Sequence, residues 1–220
     1  MCTTPQPFDD HQTLIHIYPQ YQFIKTLSAD PQNTIIATAR NVADLETKLK
    51  EDQIANTRVV YADLADASSL ADAANSTGTL TDGKVDHLLI NGAYLSFSTG
   101  GMNPTDFADK TDLFLTELNN SNIANVAGLL FAINAFLQLL RAGKEMRVTY
   151  ISSGVSSVSE TLETRTSNSV PYCISKAAGN IVIAKFAAEL QDQGFIFLSI
   201  APGAVATEWV LDTSYRELHA

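Results

Sequence analysis

The sequence predicts one α/β domain, residues 1–220, in which helices cover both faces of a doubly wound parallel sheet. Short runs rich in apolar and β-branched residues alternate with segments of helical periodicity, and the predicted strands are apolar enough to be covered on both faces. With 45% apolar residues among 220, the chain can bury one continuous core. Ligands of such a sheet bind beyond the carboxyl ends of its strands, so functional residues are expected directly after each strand.

Strands and helices follow one another in short units along the chain. Residues 13–18 can form a first strand, and the uncharged, β-branched run Thr34–Ala39 indicates a second, buried one. Asn41 can then cap a helix whose apolar positions recur at helical spacing. The unit recurs, with further strands predicted at residues 57–61, 87–91, 147–152 and 195–200, and helices at 67–75 and 129–140.

Composition argues against several classes of function. A formal net charge of -10 leaves no basic stripe for a nucleic-acid backbone, and the cysteines, Cys2 and Cys173, show no metal-ligand spacing. Residues 1–10 lack the basic and apolar regions of a secretory signal. The longest apolar run, residues 128–140, is interrupted by polar side chains and is shorter than the ~20 residues that span a bilayer, which indicates a core helix. We therefore expect a cytoplasmic protein with no metal site, nucleic-acid partner or membrane segment.

A tyrosine and a lysine four residues apart are the first chemical candidates. In a helical segment this spacing places the Tyr172 phenol and the Lys176 ammonium on one face. Free tyrosine has a pKa of about 10, and a nearby fixed cation favours the phenolate, so this side chain could exchange a proton with an alcohol or ketone near neutral pH. Alone, the spacing is weak evidence, because such pairs also occur by chance on solvent-exposed helices.

Three further segments lie near the ends or starts of predicted elements and give this pair its context. Ser153 follows an apolar strand, where a hydroxyl can polarise a substrate oxygen. Asn125 precedes the helical pattern at residues 129–140, and Pro202-Gly203 follows the last predicted strand. Each also has a plain structural interpretation: a turn residue for Ser153, a polar residue tolerated on a helix for Asn125, and a simple turn for Pro202-Gly203.

Taken together and in this order, these segments resemble the short-chain dehydrogenase/reductase family and look most like its fungal ketoreductase-type members. The resemblance runs from about residue 23 to residue 207 and implies a Rossmann-like sheet with a catalytic tetrad of Asn125, Ser153, Tyr172 and Lys176. It implies that Tyr172 is the general acid for ketone reduction and that Ser153 holds the carbonyl oxygen. Lys176 would lower the pKa of Tyr172 and bind the nicotinamide ribose, and Asn125 would order a water relay.

The resemblance also implies a dinucleotide and its contacts. Arg40 follows the second strand, where an arginine suits the 2′-phosphate of NADP(H) and an acid would suit NAD(H). NADP(H) is therefore favoured over NAD(H), although Arg40 could also be an ordinary exposed cation. Asp63 matches the family's adenine contact but could equally cap a helix. The remaining cofactor contacts expected from the family pattern are Asn91, Pro202, Val205 and Thr207, together with Tyr172 and Lys176.

The chain departs from the family pattern at three places. The family's first strand leads into a glycine-rich phosphate loop, but residues 1–39 contain no glycine, and side chains at 19–21 would obstruct the phosphates. The family's Asn-Asn-Ala-Gly after the fourth strand is replaced at residues 91–94, where Tyr94 brings a bulky ring close to the expected cofactor. The chain ends at Ala220, which predicts a missing last strand, an exposed apolar sheet edge and a homo-oligomer.

Three interpretations of function are open on these grounds. The first is an NADP(H)-dependent oxidoreductase of secondary metabolism that reduces a ketone or oxidises a secondary alcohol, with a small-molecule carbonyl or alcohol as substrate. The second is a non-catalytic binding or scaffold relative, because the glycine-rich loop is absent. The third is that the divergent N-terminus, residues 1–22, and the short C-terminus come from an incorrect gene model or a truncated transcript.

Overall fold

The computed structural model describes residues 13–17 and 21–203, with backbone alone for residues 13–17, and contains one parallel sheet of six strands. The strand order is β3-β2-β1-β4-β5-β6, so the order along the sheet reverses between β1 and β4. This reversal creates a crevice beyond the carboxyl ends of β1 and β4, and ligands of doubly wound sheets bind in such a crevice. The strands are β1 (Thr13–Ile17), β2 (Thr34–Ala39), β3 (Thr57–Tyr61), β4 (His87–Ile90), β5 (Arg147–Ile151) and β6 (Ile196–Ile200).

Helices alternate with these strands, which confirms the predicted α/β class. They are α1 (Tyr21–Ser28), α2 (Val42–Glu51), α3 (Ala67–Leu80), α4 (Thr111–Asn122), α5 (Gly128–Ala142), α6 (Val158–Thr164) and α7 (Val170–Leu190), and a π-helical turn, Ile123–Ala127, joins α4 to α5. Asn41 caps α2 as predicted, because its side-chain oxygen accepts a hydrogen bond from the Asp44 amide. Helix α3 is longer than predicted, since Thr77 lies on its buried face beyond the expected end.

Both faces of the sheet are covered, as the uninterrupted apolar strands predict. Neighbouring side chains of β2 point to opposite faces: Ile36 belongs to the main core with α3, α5 and α7, whereas Ala37 packs with Ile24 of α1 and Leu49 of α2. Val148 and Tyr150 of β5 lie in the main core. Helices thus cover the sheet on both faces, and the carboxyl ends of its parallel strands lie along one edge.

Helix α5 is the core helix that the apolar run predicts. Its buried face carries Leu129, Ile133, Phe136 and Leu140. Together with α4 and the π turn it forms a continuous helical segment, Thr111–Ala142, of 32 residues, which by length and composition alone is sufficient to cross a membrane. Core helices of globular proteins meet the same criteria, and the buried face of α5 accounts for much of this apolar composition.

Strand β6 forms one edge of the sheet within the described residues. Phe197 on one face stacks with Phe186 of α7 at 5.9 Å between ring centroids. On the other face, Ile196, Leu198 and Ile200 are 43–46% exposed, which agrees with the expected apolar edge. Residues 204–220 lie outside the described part of the chain, so the missing last strand stays a prediction.

Candidate active site

The parallel strands bring the candidate residues to one edge of the sheet. Each follows a strand end, and in order these residues are Arg40, Asp63, Asn91, Ser153 and Pro202. Tyr172 and Lys176 lie near the start of α7, which begins at Val170 with a proline in its first turn. Val205 and Thr207 lie outside the described residues. The topology therefore places these residues along the same carboxyl-end edge of the sheet, although they are far apart in sequence.

The structure brings Tyr172 and Lys176 together. Lys176 is buried, with 2% of its surface exposed, and its Nζ donates a hydrogen bond of 2.7 Å to the Ile151 carbonyl at the end of β5. The same Nζ lies 5.9 Å from the centre of the Tyr172 ring and 4.5 Å from that of Tyr150. This ammonium can therefore stabilise negative charge on the Tyr172 phenol, as the four-residue spacing predicts.

Burial changes the electrostatics expected for this pair. Because the charged form of Lys176 is removed from water, its pKa is lowered to about 7. Lys176 is therefore not the permanently charged group that the sequence suggests, and its charge changes close to neutral pH. Its influence on Tyr172 should be strongest below that value.

Asn125 connects three elements of the site. It is 1% exposed and lies in the π turn. Its Oδ1 accepts a 2.6 Å hydrogen bond from the Tyr94 amide, and its Nδ2 donates to the Tyr94 carbonyl and to Ser175 Oγ, each at 2.9 Å. The side chain thus ties the loop after β4 to α7, one residue before Lys176. The sequence did not indicate this connection.

The sequence places the Tyr94 ring close to the expected cofactor, whereas in the structure the ring is directed toward α4. Its hydroxyl donates a hydrogen bond of 2.9 Å to Glu117 Oε2 on α4. Glu117 is itself buried, at 8% exposure. The bulky ring is therefore held toward α4, and this departure from the family pattern is accommodated by a partner that the sequence did not reveal.

Ser153 begins a short 3₁₀ turn directly after β5. Its carbonyl accepts hydrogen bonds from the Ser156 amide at 3.1 Å and the Ser156 hydroxyl at 2.6 Å. Ser156 Oγ also accepts from Asn180 Nδ2 of α7 at 2.8 Å, and Asn180 Oδ1 accepts from Ser199 of β6 at 2.6 Å. This network holds the turn of Ser153 against the helix that carries Tyr172.

The segment between Ser153 and Tyr172 is polar and rich in serine and threonine. It contains α6, because the Ser157 side chain accepts a hydrogen bond from the Glu160 amide and caps the helix. The Glu160 carboxylate folds back onto Gly154, where a Cβ atom would collide with it. Ser167 and Ser169 then contact the loop after β4 through Asn103 and the Gly100 carbonyl, both at 2.6 Å.

Three of the predicted dinucleotide contacts occupy more open positions, namely Arg40, Asp63 and Pro202. Arg40 is exposed at the end of β2. The Asp63 carboxylate accepts a hydrogen bond of 2.9 Å from the Ala65 amide, and the cap of α3 is Asp66, so the capping role considered for Asp63 belongs to its neighbour. Pro202 is exposed after β6, and Gly203 has φ +75°.

Asn91 provides a test of whether the site fits a dinucleotide. It is 6% exposed at the end of β4, next to the crevice, and its Nδ2 has no hydrogen-bond partner among the described residues. A buried donor without a partner is costly, by about 1–3 kcal/mol, so a polar ligand group beside it would be stabilising. The Asn91 amide therefore fits a polar group of a dinucleotide. Residues 18–20, in the expected phosphate loop, lie outside the described residues.

Three residues of the site were missed by reasoning from the sequence. Tyr150 lies beside Lys176, Ser175 binds Asn125, and Glu117 binds the Tyr94 hydroxyl. Only Tyr150 carried a usable signal, because it shares the inward face of β5 with Val148 and precedes Ser152-Ser153. Within residues 21–203, no group of three or more His, Cys, Asp or Glu side chains could hold a metal ion.

Solved structures with the same fold include two dinucleotide complexes. The Pseudomonas aeruginosa RhlG/NADP active-site complex has a TM-score of 0.72 at 20% identity, covering 90% of this chain and 75% of that one. The NADPH-bound carbonyl reductase from chicken fatty liver has a TM-score of 0.73 at 18% identity, covering 90% of this chain and 80% of that one. At these identities the likeness is one of fold.

Sequence comparisons identify the family. The family model described as short chain dehydrogenase matches residues 21–217. The short-chain dehydrogenase/reductase AacuF of Aspergillus aculeatus is 34% identical over 187 residues, which are 84% of this chain and 70% of that protein. The short-chain dehydrogenase/reductase atnB of Arthrinium sp. is 32% identical over 192 residues, 87% of this chain and 72% of that protein. The chain therefore belongs to the short-chain dehydrogenase/reductase family of oxidoreductases, and it is similar to fungal members.

Proposed function

We propose that this protein is an NADP(H)-dependent oxidoreductase that reduces a ketone or oxidises a secondary alcohol on a small molecule. The observation that carries the proposal is the pairing of Tyr172 with a buried Lys176, whose Nζ lies 5.9 Å from the tyrosine ring at the ligand-binding edge of the sheet. A buried amine beside a phenol at that edge suits proton transfer to a substrate oxygen.

The residues of the site take distinct parts in this chemistry. A bound dinucleotide supplies the hydride for reduction and accepts it in oxidation. Tyr172 donates its phenolic proton to the carbonyl oxygen as that oxygen gains negative charge, and in oxidation its phenolate takes the proton from the alcohol. The Lys176 ammonium stabilises the phenolate, and the Ser153 hydroxyl donates a hydrogen bond to the substrate oxygen. Asn125 holds the loop after β4 against α7.

The choice of NADP(H) over NAD(H) rests on Arg40. Its exposed guanidinium at the end of β2 can pair with a 2′-phosphate, and two proteins of the same fold are NADP or NADPH complexes. Asn91 would donate to the dinucleotide from the end of β4, and Asp63 would contact the adenine. Pro202, Val205 and Thr207 would contact the nicotinamide.

Helix α6 is proposed as one wall of the substrate entrance. It lies between Ser153 and Tyr172 in the chain, and its side chains Val158 and Leu162, one turn apart, are 78% and 73% exposed. An apolar substrate would cover these side chains. The proposal further includes a cytoplasmic location, a role in secondary metabolism and a homo-oligomer, the last supported by the exposed apolar side chains of β6.

A non-catalytic binding protein is the alternative, and the lack of glycine in residues 1–39 is the observation in its favour. The family match and the assembled Tyr172–Lys176 pair do not favour it. The two functions differ in a measurable way, because the oxidoreductase binds and consumes NADPH, whereas a relative without the phosphate loop is expected to do neither.

The test is NADPH consumption by the purified protein with a panel of ketones, followed by absorbance. We expect turnover that falls by about 10³-fold in Tyr172→Phe, because the general acid is lost while the ring is kept. Tyr61→Phe, which removes an exposed phenol at the end of β3, is the matched control and should retain turnover. Complete absence of Tyr172-dependent turnover would refute the oxidoreductase, and saturable NADPH binding would count against the alternative.

A further inference from the structure

The Lys176 ammonium lies between two tyrosine rings, only one of which the proposed reaction uses. Its Nζ is 4.5 Å from the centre of the Tyr150 ring and 5.9 Å from that of Tyr172. Tyr150 comes from β5, inside the core, and its neighbour Ile151 provides the carbonyl to which Nζ donates at 2.7 Å. Two consecutive residues of β5 thus contact the ammonium, one through its ring and one through its main chain.

The Tyr150 side chain is buried beneath α7, with 1% of its surface exposed, although its hydroxyl forms no hydrogen bond with the described residues. Helix α7 passes over the ring at Gly179, where a Cβ atom would come within 2.5 Å of the hydroxyl oxygen and 2.9 Å of Cζ. A glycine inside a helix and a buried phenol without a partner are both unfavourable, and both occur at this contact.

We propose that Tyr150 is a positioning residue whose ring face seats the Lys176 ammonium between the Tyr172 ring and the Ile151 carbonyl. A cation within about 6 Å of an aromatic centroid is attracted by the electron-rich face, most strongly where water is excluded. A neutral ring holds the ammonium without adding a negative charge that would compete with the Tyr172 phenolate for it. Gly179 leaves the space that this ring requires.

Apart from the Ile151 carbonyl, the Tyr150 ring is the nearer of the two aromatic partners of the Lys176 ammonium. Burial raises the pKa of Tyr150 and keeps its phenol neutral. Within residues 21–203 Lys176 forms no salt bridge, and Glu117 of α4, the helix packed against α7, binds the Tyr94 hydroxyl. Among the described residues, Tyr172 is the other titratable side chain whose ring lies near the ammonium. The contact between the Tyr150 ring and the Lys176 ammonium is called the seat below. Its importance for proton transfer rests on the proposed function, but the contact itself does not.

The seat is tested directly by following the carbon-13 chemical shift of Lys176 Cε as the pH is changed, without dinucleotide. The Lys176 signal is assigned as the one that is absent from the spectrum of Lys176→Met. We expect Tyr150→Phe to keep the pKa close to the wild-type value, because the ring remains. Tyr150→Leu and Tyr150→Met should lower it by about one pH unit, because the buried ammonium loses its aromatic partner. Phe136→Leu removes a buried ring elsewhere in the same core and should leave the pKa unchanged. Equal pKa values in the wild type and the non-aromatic variants would refute the proposal.

A second measurement decides the matter even if the non-aromatic variants fail to fold. In the wild type, the Lys176 Hε protons should show an upfield ring-current shift that vanishes on thermal unfolding; shifts equal to those of the exposed Lys185 would overturn the seat.

If the enzyme turns over, the pH profile of turnover in Tyr150→Met should move with the pKa of Lys176. An unmoved profile would show that the seat has no part in the chemistry. A wild type without turnover contradicts the proposed function and leaves the titration to decide the seat.

Discussion

The two ends of the candidate site differ in what holds their side chains. At the catalytic end, Asn125 and Lys176 are 1% and 2% exposed, and contacts within the protein determine their positions. At the dinucleotide end, Arg40 is exposed and the Asn91 amide presents a donor with no partner among the described residues. The proposed catalytic end is therefore part of the folded core, whereas the proposed dinucleotide end has an exposed Arg40 and an amide donor that a ligand would satisfy. Substitutions should affect stability at the first end and binding at the second.

The largest effect on stability is expected from Asn125→Ala. The substitution removes three hydrogen bonds and leaves the Tyr94 amide and carbonyl without their partner, so the free energy of unfolding should fall by about 3 kcal/mol. Urea unfolding measures this loss. Asn134→Ala, at an exposed position of α5, should change stability by less than about 0.5 kcal/mol. Equal effects of the two substitutions would show that the catalytic end is not part of the stable core.

The same contrast separates what the sequence could predict from what it could not. The strand at Thr34–Ala39 and the Asn41 cap were predictable, because they depend on neighbouring residues and on periodicity. The Tyr172–Lys176 pair was predictable because both residues lie on one helix. The Asn125–Tyr94 contact joins residues 31 positions apart, and no local pattern encodes it.

Helix α6 shows a second limit of local reasoning. Its seven residues carry only two large apolar side chains, Val158 and Leu162, too few to establish a helical period, so the sequence resembles a loop. The structure forms a helix there because Ser157 caps its first turn. Likewise, the place of Tyr150 just before Ser152-Ser153 is visible in the sequence, but its contacts with Lys176 and Gly179 are not, because those residues belong to a separate element.

A second prediction concerns the pH dependence of stability at the catalytic end. The pKa of Lys176 is about 7 in the folded protein and near 10.5 in the unfolded chain, so between these values the unfolded state binds more protons. The contribution of Lys176 to the free energy of unfolding should therefore rise with pH, by about 2 kcal/mol from pH 7 to pH 9. Lys176→Met should abolish this rise relative to the wild type.

The matched control for that measurement is Lys185→Met. Lys185 lies on the same helix but is exposed, so its removal should leave the pH dependence of the wild type unchanged. Thermal or urea unfolding of the three proteins at several pH values provides the comparison. If Lys176→Met retains the full rise, the lysine is solvated, and the catalytic end is more open than the structure indicates.

The smallest effect is expected at the dinucleotide end, from Arg40→Ser. Removing the guanidinium should weaken NADPH binding by about tenfold, because one charge-assisted contact to the 2′-phosphate is lost, and should leave NADH binding unchanged. Fluorescence titration with NADPH and NADH measures both affinities. The control is Arg58→Ser, near the start of β3 and so away from the carboxyl ends of the strands. Stability should stay within about 0.5 kcal/mol, since Arg40 is exposed. A parallel loss of NADPH and NADH binding would show that Arg40 supports the fold of this edge, and the two ends would then differ less than their burial indicates.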